Sequence, residues 1–121
     1  MTRTELAAEL AAAARLLRDH AFLRYSEAGR AEYEDKLRTA SGLFAAAVSR
    51  ATGAVVPNPF PGASVEGLQA GGAESVARSV RRVSARLSAA AKSAGGRDSE
   101  RLSAAAASWR AAAEAVAALP R

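Results

Sequence analysis

Val76, Val80, Val83, Leu87, Ala90 and Ala94 follow one another at intervals of four, three, four, three and four residues. That spacing keeps every one of them on a single face of an α-helix and on no single face of a strand. The same rhythm recurs three more times. It runs through Leu6, Leu10, Ala13 and Leu17, through Tyr33, Leu37, Ala40, Phe44, Ala47 and Ala51, and through Leu102, Ala105, Trp109, Ala112, Val116 and Leu119. Four amphipathic helices are therefore predicted, and composition closes off the alternatives. The chain has no isoleucine, whereas 34 of its 121 residues are alanine, and strands favour β-branched and aromatic side chains.

Punctuation between the stretches sets the expected boundaries. Thr2 followed by Glu5 has the form of a capping box, and Leu16, Phe22 and Leu23 extend the first apolar face. The pattern weakens from Arg24 to Gly29, where Ser26 can cap a second helix. Glu27, Glu32, Glu34 and Asp35 suit the positive end of its dipole, and Gly53 stands where it should stop. Pro57-Asn58-Pro59-Phe60-Pro61-Gly62 excludes helix, because each proline lacks an N–H and restricts the residue before it. A single helical turn is expected over Ser64–Gln69. Gly95-Gly96 end the third helix, Asp98 caps the fourth, and Pro120 closes it.

These signals predict an all-α, single-domain four-helix bundle. It consists of two antiparallel helical hairpins, residues 1–53 and 73–121, joined by a Pro-rich connector over 54–72. Leucine, valine and phenylalanine together number only 22, so the expected core is thin for 121 residues. Alanine seams bring helix axes close, but they remove little apolar area from water. Burial of a further face by self-association or by a protein partner is expected.

Net charge is +5, carried by 15 arginines and two lysines, a balance that GC-rich coding alone produces and that favours acidic partners. No cysteine is present, which rules out disulfides and thiolate metal sites. Glu5, Glu9 and Arg15 interrupt the first apolar stretch, so no export signal is read and a cytoplasmic location is expected. No cofactor or metal is expected either.

Few residues suggest chemistry. Arg78, Arg82 and Arg86 recur every four residues with Arg81 beside them, a guanidinium row suited to a phosphate backbone. Neutralisation by Glu27, Glu32, Glu34 and Asp35 of the second helix is the plainer expectation for that row. Trp109 is expected as a core anchor or as a partner-facing contact, and Phe60 as a residue that tucks the connector onto the bundle or meets a partner. His20 is the only histidine and is expected at the edge of the core. Arg15-Leu16-Leu17-Arg18-Asp19-His20 has the Arg-x4-His spacing of the HEPN family, small helical-bundle proteins that include dimeric ribonucleases, and resembles that motif. The resemblance implies that Arg15 and His20 of two protomers converge on RNA. Leu16 stands where that family usually has a polar residue, and the match lies in the first helix where the family's lies late.

The leading functional expectation is a non-catalytic assembly or adaptor module that self-associates. The alternatives are a nucleic-acid-binding protein using the face of Arg78, Arg82 and Arg86 and a HEPN-like ribonuclease using Arg15 and His20.

Overall fold

The computed structural model describes residues 1–68 and 71–121. Its described residues form four α-helices, α1 (Arg3–Asp19), α2 (Glu27–Thr52), α3 (Val76–Ser93) and α4 (Gly96–Ala117), and no strand. Short 3-10 segments at Ala21–Tyr25 and Ala73–Ser75 precede α2 and α3.

Most boundaries have a local cause. The Glu5 amide donates to Thr2 Oγ1 at 3.2 Å, and the Gly29 amide donates to Ser26 Oγ at 3.0 Å. Each bond satisfies an N–H that the first helical turn leaves without a partner. Gly53 ends α2 in the left-handed region at φ 72°, its amide bonded to the Ser49 carbonyl.

Three expectations fail here. α1 stops at Asp19, short of the apolar residues beyond it. His20 donates its Nδ1–H to the Leu16 carbonyl at 2.8 Å, and the chain then tightens into the 3-10 segment. The changed period carries Leu23 onto the core but turns Phe22 out, where it is 66% exposed. Asp98 does not cap α4. That helix begins at Gly96, whose φ of 59° lets the chain reverse at once and restart two residues earlier, and Asp98 instead accepts from Arg101 at 3.0 Å. The helical turn expected from Ser64 is a β-turn, closed by the Leu68 amide on the Val65 carbonyl at 3.0 Å. Gly67 supplies its φ of 78°, and Gln69 lies outside the described residues.

α1 packs along α2 and α3 along α4, while α2 also meets α4 and α1 meets α3. Ser84 Oγ donates to the Ala106 carbonyl at 2.8 Å and Ser99 Oγ to the Ala91 carbonyl at 2.9 Å, so residue numbers run in opposite directions along α3 and α4. The Arg3 amide bonds the Pro120 carbonyl at 2.8 Å, tying the start of α1 to the residues after α4. The core follows the seams read from the sequence, with Leu6, Leu10 and Leu17 from α1, Tyr33, Leu37 and Phe44 from α2, Val76, Val80, Val83 and Leu87 from α3, and Trp109 and Val116 from α4, and it adds Val48 of α2.

Residues 54–68 do more than link helices. Val56, Ala63, Val65 and Leu68 are buried among the core residues, and Pro59 is fully enclosed. The physical reason lies in the seams: methyl side chains on α2 and α4 leave space between helices that larger side chains from the connector occupy.

Candidate functional site

The exposed features gather where α1 hands over to α2. Phe22 is 66% exposed and Tyr25 is 83% exposed. Between them Arg24 is held in place by three groups. Its Nη1 donates to Glu66 Oε1 at 2.9 Å, and its Cζ lies 5.7 Å from the Tyr25 ring and 5.6 Å from the Tyr33 ring. The Tyr33 hydroxyl donates to the same Glu66 oxygen at 2.8 Å. Burial first, and then its bond to Glu66, push the Tyr33 hydroxyl up to about 12. Glu66 likewise raises the affinity of Arg24 for its proton.

Beside this network lies a cleft of about 560 Å3 between α1, the 3-10 segment, α2 and the turn at 65–68. Arg15, Arg18 and Arg24 line it together with Tyr33 and Glu66, over Ala14, Leu17, Val65 and Leu68. Arg15 thus faces a cleft. His20 is not among the lining residues, and its Nδ1 is occupied by the Leu16 carbonyl. Within one chain the Arg-x4-His pair does not converge on a shared site.

The α3 row is split. Arg78, Arg81 and Arg82 are exposed, without a hydrogen bond or ion pair among the described residues. Arg86 folds onto the connector, its Nη1 donating to the Ser64 carbonyl at 2.8 Å and to the Glu66 carbonyl. The neutralising contacts expected from α2 are not made. Asp35 pairs with Arg38 at 3.7 Å on its own helix, and α2 packs on α1 and α4.

Trp109 is 0% exposed, with its ring centroid 6.0 Å from that of Phe44 and its indole N–H on the Pro57 carbonyl at 3.1 Å. It is the core anchor, with no surface left to offer a partner in this fold. Phe60 is half-buried, with Arg38 Cζ 4.9 Å from its ring centroid, and borders a second cleft of about 660 Å3 with Leu87 and Leu102. Sequence reasoning missed Phe22, Tyr25, Tyr33 and Glu66 as surface and cleft residues. The one available signal was the weakening of the helical pattern from Arg24, an arginine that lies between two aromatics.

Among the described residues no helix is long and apolar enough to cross a membrane. Comparison with protein-family models, curated proteins and solved structures finds no match for the chain.

Proposed function

We propose that the chain is a non-catalytic assembly module of the cytoplasm: two antiparallel helical hairpins, 1–53 and 73–121, bound by the Pro-rich connector, that self-associate through protein–protein contacts. The observation that carries this reading is the exposed pair Phe22 and Tyr25 on either side of a fixed Arg24. Aromatic side chains and arginine are the types that dominate association energies, and a guanidinium already held by Glu66 loses little freedom on binding. Leu43, 52% exposed, and Val55, 90% exposed, add apolar surface elsewhere.

Light scattering of the purified protein across a concentration range, with and without nucleic acid, tests the proposal. Self-association gives a mass above the 12.4 kDa of one chain, and Phe22→Ser with Tyr25→Ser returns it to one chain with helical content unchanged. A mass of one chain at every concentration, with a melt that does not depend on concentration, overturns it.

A second reading is favoured by Arg78, Arg81 and Arg82, three exposed guanidinium groups with no acidic partner among the described residues. These would bind a nucleic-acid backbone by releasing counterions. On that reading, replacing all three with alanine lowers the dependence of log affinity on log salt by about 2–3. A mobility shift insensitive to salt, or no shift, removes it. The ribonuclease reading has Arg15 at a cleft in its favour and stands behind both, because His20 is turned away to Leu16.

A further inference from the structure

The cleft beside α1 has a charge pattern that its own structure does not use. Three guanidinium groups line it, Arg15, Arg18 and Arg24, against one carboxylate, Glu66. That carboxylate is already committed, since one of its oxygens accepts from both Arg24 and the Tyr33 hydroxyl. Arg15 and Arg18, three residues apart on α1, have no hydrogen bond or ion pair among the described residues. Like charges gathered around a concavity focus a positive potential there and concentrate small anions.

The rest of the lining limits what such an anion can be. Ala11, Ala14 and Ala21 are the partly exposed apolar residues of the lining, whereas Leu17, Val65, Leu68 and Tyr33 are buried. A volume of about 560 Å3 falls within the range of small-molecule sites, roughly 300–1,000 Å3. Bare inorganic phosphate would fill only part of that volume. Guanidinium forks match the oxygens of a phosphoryl group in pairs, and the walls accept an organic body behind it. From this lining we infer that the cleft between α1, the 3-10 segment and the 65–68 turn binds a small organic phosphomonoester, its phosphoryl group held by Arg15 and Arg18 and its organic body against Ala11, Ala14 and Ala21.

Arg24 has a different task in this site. It is tethered by Glu66, so it closes one side of the cleft and adds positive charge without reorienting. The turn at Val65–Leu68 is held from behind by Arg86 through the Ser64 and Glu66 carbonyls, which keeps Glu66 aimed at Arg24 and Tyr33. The site is thus built on four separate elements of the fold, and it shares Arg24 with the association surface at Phe22 and Tyr25.

Heteronuclear NMR of the intact, isotope-labelled protein titrated with phenyl phosphate provides the test, with phenol and inorganic phosphate as comparison probes. Phenyl phosphate is expected to bind saturably, shifting amides around Arg15, Arg18, Arg24 and Glu66, and to bind more tightly than either comparison probe. Arg15→Ala and Arg18→Ala each weaken it by about tenfold, whereas Arg15→Lys with Arg18→Lys, which keeps charge but loses the fork, recovers part of the affinity. Arg97→Ala, at an exposed residue of α4 that does not line the cleft, leaves it unchanged. The proposal is overturned if phenol binds as tightly as phenyl phosphate, or if the Arg15→Ala/Arg18→Ala protein keeps full affinity. It is also overturned if a single-stranded oligonucleotide without a terminal phosphate displaces phenyl phosphate from these residues.

Discussion

Trp109 donates its indole N–H to the carbonyl of Pro57 at 3.1 Å, joining α4 to a residue 52 positions earlier in the connector. The bond helps explain how a proline-rich stretch comes to lie against the bundle, with Pro59 buried. A proline carbonyl accepts normally although its nitrogen cannot donate, and a buried indole needs an acceptor. Beside the bond the Phe44 ring lies 6.0 Å from the indole, and Val56 and Val116 belong to the same buried core. Trp109→Phe is expected to cost about 1–3 kcal/mol, because it leaves the Pro57 carbonyl unbonded and a small void. Trp109→Ala is expected to cost about 3–5 kcal/mol. Urea unfolding followed by circular dichroism checks both values.

Two glycines inside α2 make opposite predictions. A Cβ on Gly29 would lie 2.7 Å from the Leu23 carbonyl oxygen and 2.8 Å from Ser26 Oγ. The first contact is with backbone, so the 3-10 segment must move. Alanine gains about 1 kcal/mol in helix propensity there, which the clash outweighs, and Gly29→Ala is expected to destabilise by about 1–2 kcal/mol. On Gly42 the nearest atom is the Asn58 side-chain nitrogen at 3.3 Å, the movable end of an exposed residue. Gly42→Ala is expected to be neutral or to stabilise by up to about 1 kcal/mol. Thermal melts of the two variants side by side separate the cases.

The arginines of α3 should divide in the same way. Arg78, Arg81 and Arg82 are exposed and make no hydrogen bond or ion pair among the described residues, so replacing all three with alanine should change stability by no more than about 0.5 kcal/mol. Arg86→Ala strands the Ser64 and Glu66 carbonyls and should cost about 1–3 kcal/mol. Equal losses in the two variants, measured by urea unfolding, would contradict the split row.

Alkaline pH should weaken the α1–α2 end of the bundle through Tyr33. Its hydroxyl is raised from 10 to about 12 in the folded chain, so between those values the folded state binds more protons than the unfolded one. Stability contributed by Tyr33 is therefore complete below pH 10 and is lost as pH rises through about 12. Tyr33→Phe should abolish the late phase of the phenolate absorbance titration. Glu66→Gln should shift that phase to lower pH without restoring the ordinary value, because burial is the larger cause.

The helical seams were legible because a period of 3.6 residues is a property of neighbours along the chain. Leu6, Leu10 and Leu17, or Val76, Val80, Val83 and Leu87, share a face whatever they later meet, and all are buried. Thr2, Ser26 and Gly53 were legible for the same reason, since a cap acts within four residues. Phe22 was misread because one bond, from His20 to the Leu16 carbonyl, marks the end of the period that had placed it inside. Arg86 was misread because its acceptors are carbonyls 20 and 22 residues away, and carbonyls leave no mark in a sequence.

The sequence by itself determined that the chain is helical, where α2 ends, and which stripe of each helix turns inward. Local spacing and local hydrogen bonds are enough for that. Only the tertiary structure decided that the connector belongs to the core, that Trp109 is sealed off from partners, and that Arg15, Arg18 and Arg24 surround one cleft while Phe22 and Tyr25 stand outside. Those outcomes depend on which distant surfaces fill the space that alanine leaves between helices, and volume is shared among segments that the order of residues does not place together.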